Sequence, residues 1–232
     1  MRDNYYFQQK KIVKRFEKLI ADRKFKTSIV DIIKDYKNDD RICLTSVVFI
    51  PKEISDKIIS AVTRKLKKIE SVHYFYSPES LHLTVKNIRT VNKPSLFTRK
   101  DIDKVQQLFK KIIPQTKSFK FYIEDVLVLP TSISVMAYSN DIFGKLVSSL
   151  DEGLKKNGVP DNKKYLSDHV FFGNITICRF VKKPSVQFIN KAKKDRNLKI
   201  GNFKVKKISL ITCNAVCHKK TRKIIAEYKL KN

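Results

Sequence analysis

The sequence predicts an α+β fold made of two similar strand–helix–strand units. Two short β-like runs carry matching polar triplets, His82-Leu83-Thr84 and Asn174-Ile175-Thr176. A strand and an amphipathic helix precede each triplet at similar spacing: 39 positions separate Cys43 from His82, and 42 separate Ser132 from Asn174. Two units of nearly equal length with matching ends indicate a pseudo-twofold arrangement.

The alternation of side chains along a strand gives each triplet one polar face. Residues two apart point to the same side, so His82 and Thr84 share a face while Leu83 is turned to the core. Asn174 and Thr176 share a face in the same way. This recurrence predicts a site built symmetrically from two strands, in which the second copy has Asn where the first has His.

The first 40 residues are predicted to form a helical extension ahead of the main fold, which covers residues 41–232. A stripe of apolar side chains at helical spacing predicts an amphipathic helix at Tyr5–Ala21. Ser28 followed by Asp31 resembles a capping box, which predicts a second short helix through Tyr36. A polar run at 38–41 then breaks the pattern.

The main fold is predicted from the period of its apolar residues, which is 2 in strands and 3 to 4 in helices. In the first half this pattern predicts strands at 42–50, 81–88 and 119–129, and helices at 51–69 and 101–113. In the second half it predicts strands at 132–138, 169–180, 203–212 and 223–230, and helices at 142–154 and 185–194.

The composition is strongly basic. Fifty Lys and Arg residues against 22 Asp and Glu residues give the 232-residue chain a formal net charge of +28. An excess of this size favours polyanionic partners, with nucleic acid as the first candidate and an anionic membrane surface as the second. A solvated, lysine-rich surface is the plain alternative.

Targeting and redox signals point to a reduced, cytoplasmic protein. No segment approaches the ~18 consecutive apolar residues of a membrane span, and the polar N-terminus lacks the apolar core of a secretory signal. The four cysteines show no paired CxxC spacing, and three of them lie within β-like runs and are expected to be small buried side chains. The run from Cys213 through Cys217 to His218 is only a weak hint of a metal site.

The segment Tyr76-Ser77-Pro78-Glu79-Ser80-Leu81-His82-Leu83-Thr84-Val85 resembles the first motif of the 2H phosphoesterase superfamily. This superfamily includes the 2′-5′ RNA ligase-like proteins, also called RNA 2′,3′-cyclic phosphodiesterases. Its signature, His-apolar-Thr/Ser-apolar, occurs once in each of two lobes, and residues 173–179 lie where the second copy belongs. The resemblance spans about residues 42–230 and implies antiparallel sheets in two lobes flanking a central cleft.

The resemblance also implies catalytic roles. In the family, two histidines divide the proton transfers at a 2′,3′-cyclic phosphate, and the Thr or Ser hydroxyls hold its oxygens. The implied catalytic set is therefore His82, Thr84, Asn174 and Thr176. Asn174 cannot exchange a proton near neutral pH, although its amide can donate a hydrogen bond. His169 is not expected to replace it, because five residues on a strand span about 16 Å and end on the opposite face.

Four further residues are candidates for substrate binding. Lys86 and Arg179 follow the two triplets at near-equivalent positions and are predicted to steer phosphate into the cleft. Tyr76 and Phe172 belong to aromatic runs beside the triplets and are predicted to stack against a base.

These features lead to one main functional hypothesis and two alternatives. We expect a cytoplasmic, monomeric phosphoesterase of the cyclic phosphodiesterase or 2′-5′ RNA ligase type, with reduced or altered activity, acting on RNA or nucleotides without metal, cofactor or membrane. The main alternative is a catalytically degenerate module that binds RNA ends or nucleotides. The third hypothesis is a peripheral membrane protein that uses the basic N-terminal helix.

Overall fold

The computed structural model describes residues 3–232 and contains two antiparallel β-sheets. The first sheet has the order β3-β1-β8-β9, and the second has the order β2-β6-β5-β4-β7. The strands are β1 Ile42–Phe49, β2 Tyr74–Phe75, β3 His82–Asn92, β4 Phe119–Leu129, β5 Ser132–Tyr138, β6 Gly173–Arg179, β7 Lys199–Val205, β8 Lys207–Cys213 and β9 Lys223–Lys229. The predicted α+β class with antiparallel sheets is confirmed.

Helices pack on both sheets. They are α1 Asn4–Ala21, α2 Lys52–Ile58, α3 Arg64–Ile69, α4 Arg99–Ile112, α5 Asp141–Lys156 and α6 Val186–Lys194. A π-helical turn at Ile59–Thr63 joins α2 to α3, so the two continue one helical path after Pro51. A capping box between Thr98 and Asp101 begins α4. Within residues 3–232, no helix combines the length and the apolar character that crossing a bilayer requires.

The predicted repetition is present in the topology. In the first unit β1 leads through α2 and α3 to β3, its antiparallel neighbour. In the second unit β5 leads through α5 to β6, again an antiparallel neighbour. The helices cross between the units, because α2 contacts β7 of the second sheet while α5 contacts β3 of the first. Residues from both units therefore pack together in one large hydrophobic core.

Helix α1 matches the predicted amphipathic helix and lies against the second sheet. Tyr6, Val13 and Phe16 are buried on its inner side, where they pack with Leu127 of β4 and Tyr138 of β5. The carboxylate of Asp3 caps the helix by accepting a hydrogen bond from the Tyr6 amide. The segment expected to precede the main fold is therefore packed onto it.

The predicted short helix at 28–36 is wrong, since this segment is not helical. The Ser28 hydroxyl was expected to cap that helix, but it accepts a hydrogen bond from the Lys164 amide, and the Ser28 amide donates to the Lys164 carbonyl. Val30 and Ile33 pack against the core from an extended chain. Contacts with a distant loop thus outweigh the local capping signal.

The predicted strand at 203–212 is also wrong as a single element. It covers the end of β7 and most of β8, which belong to different sheets. Only Lys206 separates the two strands, and the apolar spacing changes from two to three between Val205 and Ile208, where the chain passes from the second sheet to the first. Strand β9 was predicted correctly.

Candidate active site between the two sheets

Strands β3 and β6, which carry the two polar triplets, lie against each other where the sheets meet. Strand β3 is the edge of the first sheet, and β6 is next to the edge of the second. The buried side chain of Leu83 fills the space above Gly173, where a Cβ atom would lie 2.8 Å from Leu83 Cγ. Glycine at 173 therefore permits the close approach of the two strands.

We predict that Gly173→Ala will lower the free energy of unfolding by about 1–3 kcal/mol, the usual cost of overpacking a core. Urea denaturation of the variant and the wild type measures this difference. In a double-mutant cycle, Leu83→Ala removes the side chain that the new methyl group meets, so the double variant should lose less than the sum of both single losses. Simple additivity would contradict the proposed contact between these residues.

The predicted facing of both triplets is observed. His82, Thr84, Asn174 and Thr176 are half-buried, whereas the residues between them, Leu83 and Ile175, are fully buried. Thr84 of β3 and the Asn174 and Thr176 pair of β6 line one cavity of about 210 Å³, which we call the central cavity. Residues 27–30, 163–167 and 170–172 form much of its remaining wall. Two distant strands thus contribute polar groups to a common space.

His82 lies on the same face as Thr84, one strand repeat away, beyond the lining of the central cavity. Its Nδ1 atom is 2.8 Å from the Ser80 carbonyl oxygen and donates a hydrogen bond to it. The neutral imidazole consequently carries its lone pair on Nε2, the atom able to accept a proton. The ring contacts Tyr76, with 6.3 Å between centroids.

A thiol group lies close to His82. The Cys213 thiol donates a hydrogen bond to Cys217, and together with the nearby His82 and Arg222 it lowers the Cys217 pKa to about 6, although burial opposes this shift. Cys213 also lies 3.7 Å from Cys43, sulfur to sulfur. Within residues 3–232 no group of three or more His, Cys, Asp or Glu side chains is arranged to hold a metal ion.

Asn174 belongs to a small polar cluster on β5 and β6. Its amide nitrogen lies 3.4 Å from both the Ser134 hydroxyl and the Thr176 hydroxyl. The Ser134 hydroxyl in turn donates to Thr176 over 3.3 Å. Ser134 is the cross-strand partner of Thr176 and is completely buried. Sequence reasoning missed its role, because Ser134 resembles any other small residue of a buried strand.

A β-bulge follows the threonine in both units and decides which later residues face the central cavity. The register shifts after Thr84, where Val85 has no partner on β1, and after Thr176, where Ile177 has none on β5. A bulge reverses the facing of the residues beyond it. The second residue after each threonine, Lys86 or Cys178, is consequently buried.

The expectation that Lys86 steers phosphate is revised by this placement. Lys86 is only 1 % exposed, and its ammonium forms ion pairs with Asp151, at 2.6 Å, and with Asp161. Arg179, three residues beyond its threonine, does line the central cavity. Lys86 is the second residue after its threonine and Arg179 is the third, so the two side chains do not occupy equivalent positions.

Tyr76 links His82 to Arg179. Its hydroxyl accepts a hydrogen bond from Arg179 Nε, at 3.0 Å, and donates to the Ala215 carbonyl. Burial raises the pKa of the Tyr76 phenol, and the ring is only 4 % exposed. Tyr76 is therefore unable to stack on a base as predicted, and instead it positions Arg179. Phe172 does line the central cavity, as does Phe171.

Asp161 organises the loop that forms another wall of the central cavity. Besides pairing with Lys86, its carboxylate accepts hydrogen bonds from the Lys163 amide, at 2.6 Å, and from the Tyr165 hydroxyl, at 2.7 Å. Lys163 and Tyr165 both line the central cavity. Neither was predicted from the sequence, because a lysine in a polar loop resembles the chain's many solvated lysines.

Helix α1 holds the chain that leads into β6. The Tyr5 hydroxyl accepts a hydrogen bond of 2.8 Å from the Phe171 amide, and the Gln9 side chain donates to the Phe171 carbonyl oxygen. Gln9 is completely buried and also accepts a hydrogen bond from the Ser139 amide. The α1 helix thereby fixes the backbone just before Asn174.

Comparison with solved structures supports this description of the fold. The chain is similar to a structure described as a phosphoesterase (13 % identity, TM-score 0.56, covering 83 % of this chain and 100 % of that one). It is also similar to TT0787 of Thermus thermophilus (15 % identity, TM-score 0.59, covering 82 % of this chain and 98 % of that one). A third similar structure is E. coli LigT complexed with ATP (13 % identity, TM-score 0.58, covering 83 % of this chain and 100 % of that one).

E. coli LigT has also been solved with 3′-AMP and with phosphate, and both structures resemble this chain. No family model matches the sequence, and no curated protein matches it. At identities of 12–15 % these similarities establish a shared fold. The two-lobed fold expected from the polar triplets is thus confirmed.

Proposed function

We propose that this chain is a 2H-type phosphoesterase that acts on 2′,3′-cyclic phosphates of RNA ends or nucleotides. The observation that carries the proposal is the convergence of β3 and β6, through which Thr84, Asn174 and Thr176 line one cavity. The similarity to LigT and phosphoesterase structures supports the same reaction class. The net charge of +28 favours a polyanionic substrate such as RNA.

In the proposed hydrolysis, His82 acts as the general base. Nε2 takes a proton from water as the water oxygen attacks phosphorus, and the bond from phosphorus to one ribose oxygen breaks. The hydroxyls of Thr84 and Thr176 and the guanidinium of Arg179 donate hydrogen bonds to the phosphate oxygens, where negative charge increases in the transition state. The released ribose oxygen takes a proton from solvent water, leaving a phosphate monoester and a hydroxyl group.

Asn174 explains why reduced activity is expected. It occupies the position of the second histidine in the family motif, and its amide cannot deliver a proton to the leaving ribose oxygen. Its amide nitrogen contacts the Ser134 and Thr176 hydroxyls, so Asn174 holds Thr176 in position to bind the phosphate. Loss of one general acid typically costs about 10²–10⁴-fold in rate, so slow turnover with intact binding follows.

We predict that purified protein slowly opens the cyclic phosphate of a short RNA ending in a 2′,3′-cyclic phosphate. Mass spectrometry of the product, with its gain of one water molecule, measures the reaction, and enzymatic removal of a 3′-phosphate distinguishes 3′- from 2′-monoesters. Adenosine 2′,3′-cyclic monophosphate in parallel shows whether a single nucleotide suffices. No product above the uncatalysed rate for either substrate would contradict the enzymatic proposal.

The alternative is a module that binds RNA ends without turnover, and Asn174 is the observation that favours it. On this proposal, RNA binds through the same cavity and the basic surface, and its affinity falls steeply with salt because phosphate contacts release counterions. Salt-sensitive binding of the cyclic-phosphate RNA, combined with no product, would select this function. The cytoplasmic location and monomeric state stay predictions under either proposal.

A further inference from the structure

Three cations line the central cavity, of which Lys164 is exposed to solvent, whereas Lys163 and Arg179 are half-buried. Lys163 and Arg179 both line the central cavity, and neither forms an ion pair with a carboxylate among residues 3–232. Arg179 uses its Nε–H on the Tyr76 hydroxyl, and the Lys163 ammonium lies 5.6 Å from the centroid of the Tyr165 ring. Their remaining N–H groups are free to bind a ligand.

The nearest carboxylates are already engaged. Asp161 pairs with Lys86 and accepts from Tyr165, and Asp151 pairs with both Lys86 and Lys155. Burial lowers the pKa of the Lys163 ammonium, and the positive charges of Arg179 and Lys86 act in the same direction, against the opposing effect of Asp161. A half-buried cation next to other cations is costly, and an incoming anion would relieve that cost.

The other walls define what kind of anion fits. Thr84 and Thr176 offer hydroxyl donors beside Lys163 and Arg179, and the remaining lining combines apolar side chains such as Leu129, Val147 and Phe172 with Ser and Thr hydroxyls. Residues 27–30 and the 163–172 loop partly close the central cavity, whose volume is about 210 Å³. This space suits one phosphate group with a flat apolar body attached to it.

We propose that Lys163 and Arg179 form a two-cation subsite that binds the phosphate monoester dianion of a single nucleotide, with Lys163 as a specificity residue for this charge. The inference rests on the proposed function, because that dianion is the product of opening a 2′,3′-cyclic phosphate. The same group occurs on a free nucleotide and at an RNA 3′ end. Two cations favour it over the cyclic monoanion.

The test is isothermal titration of the full chain with adenosine 3′-monophosphate at pH 7, where the phosphate is mostly a dianion. Lys163→Met should weaken binding roughly 10- to 100-fold, the usual loss for a hydrogen bond to a charged group. Lys163→Arg should retain more affinity than Lys163→Met. The matched control is Lys183→Met, which removes an exposed loop lysine and should bind as the wild type does.

Thermal unfolding checks that Lys163→Met is folded. Removing an unpaired, half-buried cation should leave the melting temperature unchanged or raise it. A short RNA with a 3′-phosphate, compared with the same RNA ending in a hydroxyl, separates the two sources of the dianion. A preference of the wild type for the phosphorylated RNA that Lys163→Met abolishes supports an RNA end as ligand. Dependence on Lys163 for the free nucleotide alone supports a nucleotide.

The outcomes separate this inference from the proposed function. Equal affinity of Lys163→Met and wild type for adenosine 3′-monophosphate overturns the subsite, even if cyclic phosphate is hydrolysed normally. Absence of wild-type binding overturns it as well. Lys163-dependent binding without hydrolysis supports the subsite while the enzymatic proposal fails.

Discussion

Replacing His82 with alanine is expected to lower the rate of cyclic-phosphate hydrolysis by about 10²–10⁴-fold, the typical contribution of a general base. The effect should fall on kcat, because His82 lies outside the lining of the cavity that Thr84, Asn174 and Thr176 share. Binding of adenosine 3′-monophosphate should therefore change little. Initial rates over a range of substrate concentrations separate the two parameters.

The matched control is His169→Ala, because His169 is an exposed histidine in the loop that precedes β6. It should hydrolyse the cyclic phosphate at the wild-type rate. His82→Gln adds a second check, since an amide can reach a hydrogen-bond partner but cannot accept the proton. Wild-type rates in both His82 variants would show that the imidazole does not act as the base.

Much of the fold could be predicted because its elements have clear local patterns. Strand β5 and helix α5 are bounded as predicted to within a few residues, since strict alternation and a regular apolar stripe mark them. The facing of the triplets also followed from the strand period of two. These features depend on residues close in the chain, where sequence spacing converts directly into geometry.

The errors arise where distant contacts or bulges decide the structure. Spacing from Thr84 predicts that Lys86 faces the site, but the bulge at Val85 turns it into the core, where two carboxylates hold it. Lys163 was missed for the converse reason. Its position depends on the ion pair between Lys86 and Asp161, 75 residues apart, which no local pattern encodes.

The N-terminal segment shows how an apparent appendage can belong to the site. Tyr5 and Gln9 bind the backbone of Phe171, and Ser28 binds that of Lys164, so both ends of the 163–172 loop are anchored to the first 30 residues. This loop brings Lys163 into the central cavity. The segment is thus expected to contribute to ligand affinity through the loop as well as to stability.

Replacing Asn174 with histidine is expected to raise the hydrolysis rate by about 10²-fold or more, because it restores a group that can protonate the leaving ribose oxygen. The half-buried position lines the central cavity and has space toward a ligand. The Ser134 and Thr176 hydroxyls that now contact the Asn174 amide can accept a hydrogen bond from one imidazole nitrogen. The other nitrogen is then available to the substrate.

Two controls make this gain specific. Asn190→His adds an imidazole to the exposed face of α6 and should leave the rate unchanged. When His82→Ala is also present, Asn174→His should raise the hydrolysis rate much less than it does alone, since the effects of an acid and a base that act as a unit are strongly non-additive. A bell-shaped pH profile of kcat should appear in Asn174→His.

If Asn174→His binds adenosine 3′-monophosphate normally yet hydrolyses the cyclic phosphate no faster, Asn174 is not what limits turnover, and the geometry around His82 must be reconsidered.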